Sequence, residues 1–281
     1  AVTRQETSTV RRVEGTPAPL PRSEERDEVE EDALVMQLLK QDTARDDRPS
    51  LLISVLRSDS NANLRRVAAW GLSRYADRAA VATALAAALR RDNNNAVREM
   101  AAWAAAHGRE QSDVIDALID AVRRDSDVDV RETAAWALGN LNAESAAEAL
   151  ADALNSQSKH LRMLAIWALG NSRPKSAPRA LLNALSDPDK DVRQIASWAL
   201  FQLEDPESVP ALEQALNREE DRHVRMGYIQ ALGAIGERSS AALARLLDSR
   251  DPEVRAVVVE ALAGKGGGPW PWPWPNPRPS P

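Results

Sequence analysis

The chain has 281 residues, of which 43% are hydrophobic and only 4% aromatic, with no cysteine and a formal net charge of −6. The missing cysteines exclude disulfides, thiolate chemistry and Cys-ligated zinc, and the acidic balance argues against nucleic acid, whose phosphates need clustered cations. Alanine and leucine supply most of the apolar residues, which is a helical composition, and no apolar run reaches the ~20 residues that span a bilayer.

Residues 1–27 read as an extended polar segment, with Pro17, Pro19 and Pro21 followed by the acidic stretch SEERDEVEED. Such a composition cannot bury enough apolar surface to fold alone, although TSTVRRVEG has an alternation suited to a partner's sheet edge. The numbering opens on Ala1, which fits a processed, extracytoplasmic or secreted chain and equally a chain trimmed at its start, with a cytoplasmic location as the alternative. The acidic stretch runs into a leading helix, Glu28 to Gln41, expected to cap a repeat array over residues 28–264.

The array is legible as an internal repeat. An apolar residue followed by arginine recurs at Arg65, Arg98, Arg131, Arg162, Arg193, Arg225 and Arg255, at spacings of 33, 33, 31, 31, 32 and 30 residues. Four residues before each arginine stands Asn61, Asn94, Asp127, Ser158, Asp189, Asp221 or Asp251, all good N-cap residues for a second helix. Each unit is therefore predicted to be a helix pair; in the fourth, the helices span roughly Ala146 to Leu154 and Lys159 to Leu169. A pair cannot bury its apolar stripe alone, so stacked pairs share one continuous core. The segments VRETAAWALGNL, LRMLAIWALGN and VRQIASWAL resemble the HEAT repeats of the bacterial bilin-lyase-like type. The resemblance covers about residues 33–264 and implies an all-α solenoid, here of about seven helix pairs, to which the composition adds extended N- and C-terminal tails. It further implies that the arginines, with Asp59, Asp92, Asp125 and Asp187 six residues earlier, form ladders between units, and that the second helices line a concave face.

Five residues after the first five arginines lie Trp70, Trp103, Trp136, Trp167 and Trp198, replaced by Gln230 and Glu260 in the last two units. On a helical wheel with Val130 at 0°, Trp136 falls at about 240°, away from the stripe of Ala134, Ala137, Leu138 and Leu141. The expectation is a row of indoles along a groove, flanked by Met100, Met163, Leu164 and Ile195, with Arg74, His107, Asn140, Asn171 and Gln202 on its polar edge. Exposed aromatic strips of this kind mark binding sites, although helix crossing could instead tuck each ring against a neighbouring unit. After a glycine hinge, residues 265–281 carry Trp270, Trp272 and Trp274 between prolines, a polyproline II composition. A polyproline strand of thirteen residues and five stacked repeats both span ~40 Å, so the tail fits the groove of a neighbouring copy. Docking its own array's end or a foreign polypeptide in the groove are the alternatives.

No catalytic residue, metal site or cofactor is expected from the motifs. His160 and His223 sit two repeats apart, ~20 Å at ~10 Å per repeat, too far to share a metal. The zinc motif H-E-x-x-H and the phosphate loop are absent, and no helix follows GKGGG. The sequence reading is thus a non-enzymatic protein-binding scaffold, partnered by protein and most directly by copies of itself through the tail. A bilin-lyase-like enzyme, with Trp136 and Trp167 stacking on a tetrapyrrole, is the enzymatic alternative. The Pro-Trp end also resembles the extracytoplasmic part of some bacterial sensor metallopeptidases, without their catalytic motif.

Overall fold

A computed structural model describes residues 47–263. The segment 1–27, the predicted leading helix and the tail 265–281 lie outside the described residues. The described chain is helical throughout, in seven pairs. In chain order they are α1 (Arg48–Ser58) with α2 (Ala62–Leu72), α3 (Ala79–Arg91) with α4 (Asn95–Ala105), α5 (Ser112–Arg124) with α6 (Val128–Asn140), and α7 (Ala147–Ala153) with α8 (Lys159–Ser172). Then follow α9 (Arg179–Ala184) with α10 (Lys190–Leu203), α11 (Val209–Leu216) with α12 (Arg222–Ile235), and α13 (Ser240–Leu246) with α14 (Pro252–Leu262).

All seven predicted cap residues work as such. Asn61, Asn94, Asp127, Ser158, Asp189, Asp221 and Asp251 each accept a backbone N–H of the second helix's first turn, each worth about 1 kcal/mol. The second helix of the fourth unit runs to Ser172, beyond the predicted Leu169, and stops where Arg173 turns left-handed at φ 45°.

The second helices stay in contact with one another along the whole array, whereas first-helix contacts thin towards the C-terminus. In a curved stack the closer-packed side is the inner one, so the second helices face inward, as the family resemblance implies. Each internal second helix therefore packs against its own first helix and against a second helix on either side. Its buried arc is accordingly wide: in α8, Leu161, Met163, Leu164, Ala165, Ile166, Ala168, Leu169 and Gly170 are all buried. The resulting core is continuous from Leu52 to Ala261. Among the described residues no helix is long and apolar enough to cross a membrane.

Candidate functional site

The repeating arginines make the expected ladder. Arg65 forks onto Asp92, Arg98 onto Asp125, Arg162 onto Asp187 and Arg193 onto Glu219, each through Nε and Nη2 at 2.7–3.0 Å. Nη1 of each arginine donates to the backbone carbonyl six residues before it, for example Arg98 to Asp92 at 3.0 Å. Burial alone would push Asp92 and Asp125 up, but the bonds from Arg65 and Arg98 and a backbone N–H hold both carboxyls below their ordinary value. A second row runs beside the first: Lys159 pairs with Asp189 and Asp191, Lys190 with Asp221, and Arg222 with Glu253.

The rings of Trp167 and Trp198 lean back onto the preceding repeat. A Cβ added at Gly139 would stand 2.4 Å from Trp167 and one at Gly170 would stand 2.5 Å from Trp198, so each glycine is the floor on which the next repeat's indole rests. Trp103 and Trp198 are consequently 6% and 4% exposed, while Trp70, Trp136 and Trp167 are half-buried. The expected flanks need correction. Met100, Met163, Leu164 and Ile195 are buried in the core, because a second helix touches three neighbours and leaves only a narrow free arc. Asn140 is exposed and Asn171 half-exposed at the polar edge, and Asn140 Nδ2 donates to the Trp136 carbonyl at 3.0 Å. Trp270, Trp272 and Trp274 lie outside the described residues.

Sequence reasoning missed a concentrated region within this face. The His107 ring packs at a tilt of 54° against Trp103, 4.3 Å between ring centroids, and lies 6.4 Å from Trp136. Its Nδ1 is 3.0 Å from the Trp103 carbonyl, and the surrounding protein, by desolvation, holds its pKa below the ordinary imidazole value. The Nε1–H of Trp103 is buried without an acceptor, which costs about 1–3 kcal/mol. One turn before Trp103 stands Glu99, whose carboxyl burial lifts to about 7, aided by Asp129 and Asp127 and opposed by Thr133 and Arg66. Thr133 Oγ1 donates to it at 3.4 Å. One repeat further, Glu132 accepts from Ser158 Oγ at 2.6 Å and faces His160 Nε2 at 3.8 Å. The one signal for Glu99 and Glu132 in the sequence is their shared position, directly after the ladder arginine. Among the described residues no group of three or more His, Asp or Glu side chains could hold a metal ion.

The HEAT-repeat family profile matches residues 49–119, 115–182 and 178–263, and the chain belongs to that family. A stretch of 63 residues, 22% of the chain, is 46% identical to the bilin biosynthesis protein PecE of Mastigocladus laminosus. The match spans 23% of that relative's length. Among solved structures, the complex of CpcE and CpcF of phycocyanin lyase from Nostoc sp. PCC7120 is similar at 25% identity and a TM-score of 0.48, over 80% of this chain and 90% of that one. An engineered protein aligns at 24% identity and a TM-score of 0.52, over 76% and 67% of the two chains, and shows the fold alone. The expectation of a non-enzymatic chain is corrected by the match to PecE, which is a bilin biosynthesis protein.

Proposed function

We propose that the chain is a bilin-lyase-type HEAT protein that holds a linear tetrapyrrole against its second helices for transfer to, or removal from, a protein acceptor. The observation that carries this reading is the 46% identity to PecE. The chemistry of the face supports it. A conjugated tetrapyrrole needs flat aromatic partners, which exposed His107 and half-buried Trp136 supply. Its pyrrole N–H groups need an acceptor, and Glu99 is a half-buried carboxyl beside those rings. Titration of full-length chain with a free bilin should redden or sharpen the pigment's absorbance and quench tryptophan emission. W136A should weaken that response about two- to tenfold, since an aromatic pair is worth about 0.5–1.5 kcal/mol. Unchanged spectra at micromolar protein would remove the reading.

A protein-binding scaffold is the coarser function that any such array serves, and half-buried Trp70, Trp136 and Trp167 at repeat spacing support a polypeptide ligand. The narrower version, in which Trp270, Trp272 and Trp274 of one copy enter the face of another, is tested by the solution mass of the full chain beside one truncated after Gly268. Equal masses discard it.

A further inference from the structure

The arginine ladder has two missing rungs. Counting six residues back from each ladder arginine gives Asp59, Asp92, Asp125, Ser156, Asp187, Glu219 and Ser249. The side chain at this position accepts the N–H two residues on, in every repeat: Asp125 from Asp127 at 3.0 Å, Glu219 from Asp221 at 2.9 Å, Ser249 from Asp251 at 3.2 Å. The acids also receive the preceding repeat's arginine, and a serine hydroxyl is too short and uncharged to do so. Arg225, which should grip residue 249, is left without a carboxylate among the described residues, and its Nε is buried with no hydrogen-bond partner.

We propose that Ser249 is a phosphorylation site and that its phosphate completes the rung to Arg225. The reach is right. Phosphoserine places its terminal oxygens as many bonds from Cα as glutamate does, and Glu219 already fills the same slot one repeat earlier, bound by Arg193 at 2.7 and 2.9 Å. The charge is right as well. Arg255 Nη1 donates to the Ser249 carbonyl at 2.6 Å, so a phosphate dianion would lie between two guanidinium groups, a pairing that is typically short and strong. Ser249 is half-exposed in the turn between α13 and α14, flanked by exposed Asp248 and Arg250, where a kinase can reach it. In the step, Ser249 Oγ bonds to the γ-phosphorus of a nucleoside triphosphate, the bond to the departing nucleoside diphosphate breaks, and the hydroxyl proton passes to the kinase's base. Ser156 opens the same gap below Arg131, but Glu132 already bonds to Ser158 two residues away and puts a negative charge beside it.

The test has two parts. Mass spectrometry of the chain purified from cells that naturally make it, growing and stationary, should find phosphate on Ser249. Full-length protein with phosphoserine incorporated at 249 should unfold about 2–4 °C higher than the unmodified chain, S249E should reproduce part of that rise, and R225M should abolish it. No phosphate in either growth state overturns the proposal, as does a phosphoserine protein whose midpoint is unchanged or lower, or whose gain survives R225M.

Discussion

The glycines under Trp167 and Trp198 leave no room for a side chain. With 2.4 Å between a built Cβ at Gly139 and Trp167, G139A must displace an indole that is itself held between repeats. Overpacking of this kind costs about 1–3 kcal/mol, so urea unfolding of G139A should show a lower midpoint, and the double variant G139A/W167L should recover most of it. The direction of the rings was not legible in the sequence. The wheel sets Trp136 apart from the buried stripe, and the residue is half-buried, but a wheel describes one helix and says nothing of how far a ring leans along the stack; the glycine 28 residues before Trp167 and Trp198 was the available signal. Met100, Leu164 and Ile195 were misplaced for the same reason, since a single-partner wheel has no room for contacts on three sides. At Glu99 the charge state is set by burial. Its folded pKa of about 7 lies above the ordinary glutamate value of about 4.3. The folded state therefore binds the extra proton between these values, and stability falls as pH rises through that window. E99Q should remove this dependence: it should match the parent near pH 4 and exceed it by about 1–3 kcal/mol at pH 8, measured by denaturant titration at both pH values. A parent no less stable than E99Q at pH 8 would show that Arg66 and Thr133 outweigh the burial.

At the scale of elements, the starts of the second helices were legible, whereas the first helices carry no side-chain cap and helix ends gave no signal. A start is written in one residue, because only a short polar side chain can reach back to a free N–H, and all seven caps recur at fixed distance from arginine. The ends depend on which residue tolerates a positive φ. Among the described residues only α12 ends on glycine, Gly236 at φ 75°, while Arg173 closes α8 at φ 45° and Glu204 closes α10 at φ 52°. Glutamate in the left-handed region carries a steric cost that glycine lacks. E204G should thus stabilise the chain by about 0.5–1 kcal/mol, seen as a rise in thermal midpoint with no change in helicity. A drop would mean that the glutamate side chain contributes more than the strain removes. The second-helix face on which the aromatic residues sit is built from these same elements, so the candidate site was legible as a face. Its strongest part, the Trp103, His107 and Trp136 cluster, was not, because it depends on the offset between α4 and α6.

Across the whole molecule, each repeat contacts only its neighbours, so stability is close to a sum of repeat and interface contributions rather than a single number. The interfaces are not equal. Four junctions carry a bidentate arginine rung, between repeats one and two, two and three, four and five, and five and six. The junctions from three to four and from six to seven present Ser156 and Ser249 instead. The junction from three to four is reinforced by Glu132 with Ser158 and by close packing of α6 on α8. The last junction has less to replace its rung: α14 leaves Val259 and Leu262 56% and 48% exposed, and α13 is a short helix of seven residues. Local opening is drawn from such regions of low contact density and few buried apolar contacts. Amide exchange should therefore be fastest in α13 and α14, through openings that leave α4 to α10 protected. S249D restores the acid in the position where Asp92, Asp125 and Asp187 hold their arginines, and should slow exchange in α13 and α14 while leaving α6 and α8 unchanged. Exchange slowed equally in every repeat would mean that the array opens as one unit, and that a single rung contributes to global rather than to local stability.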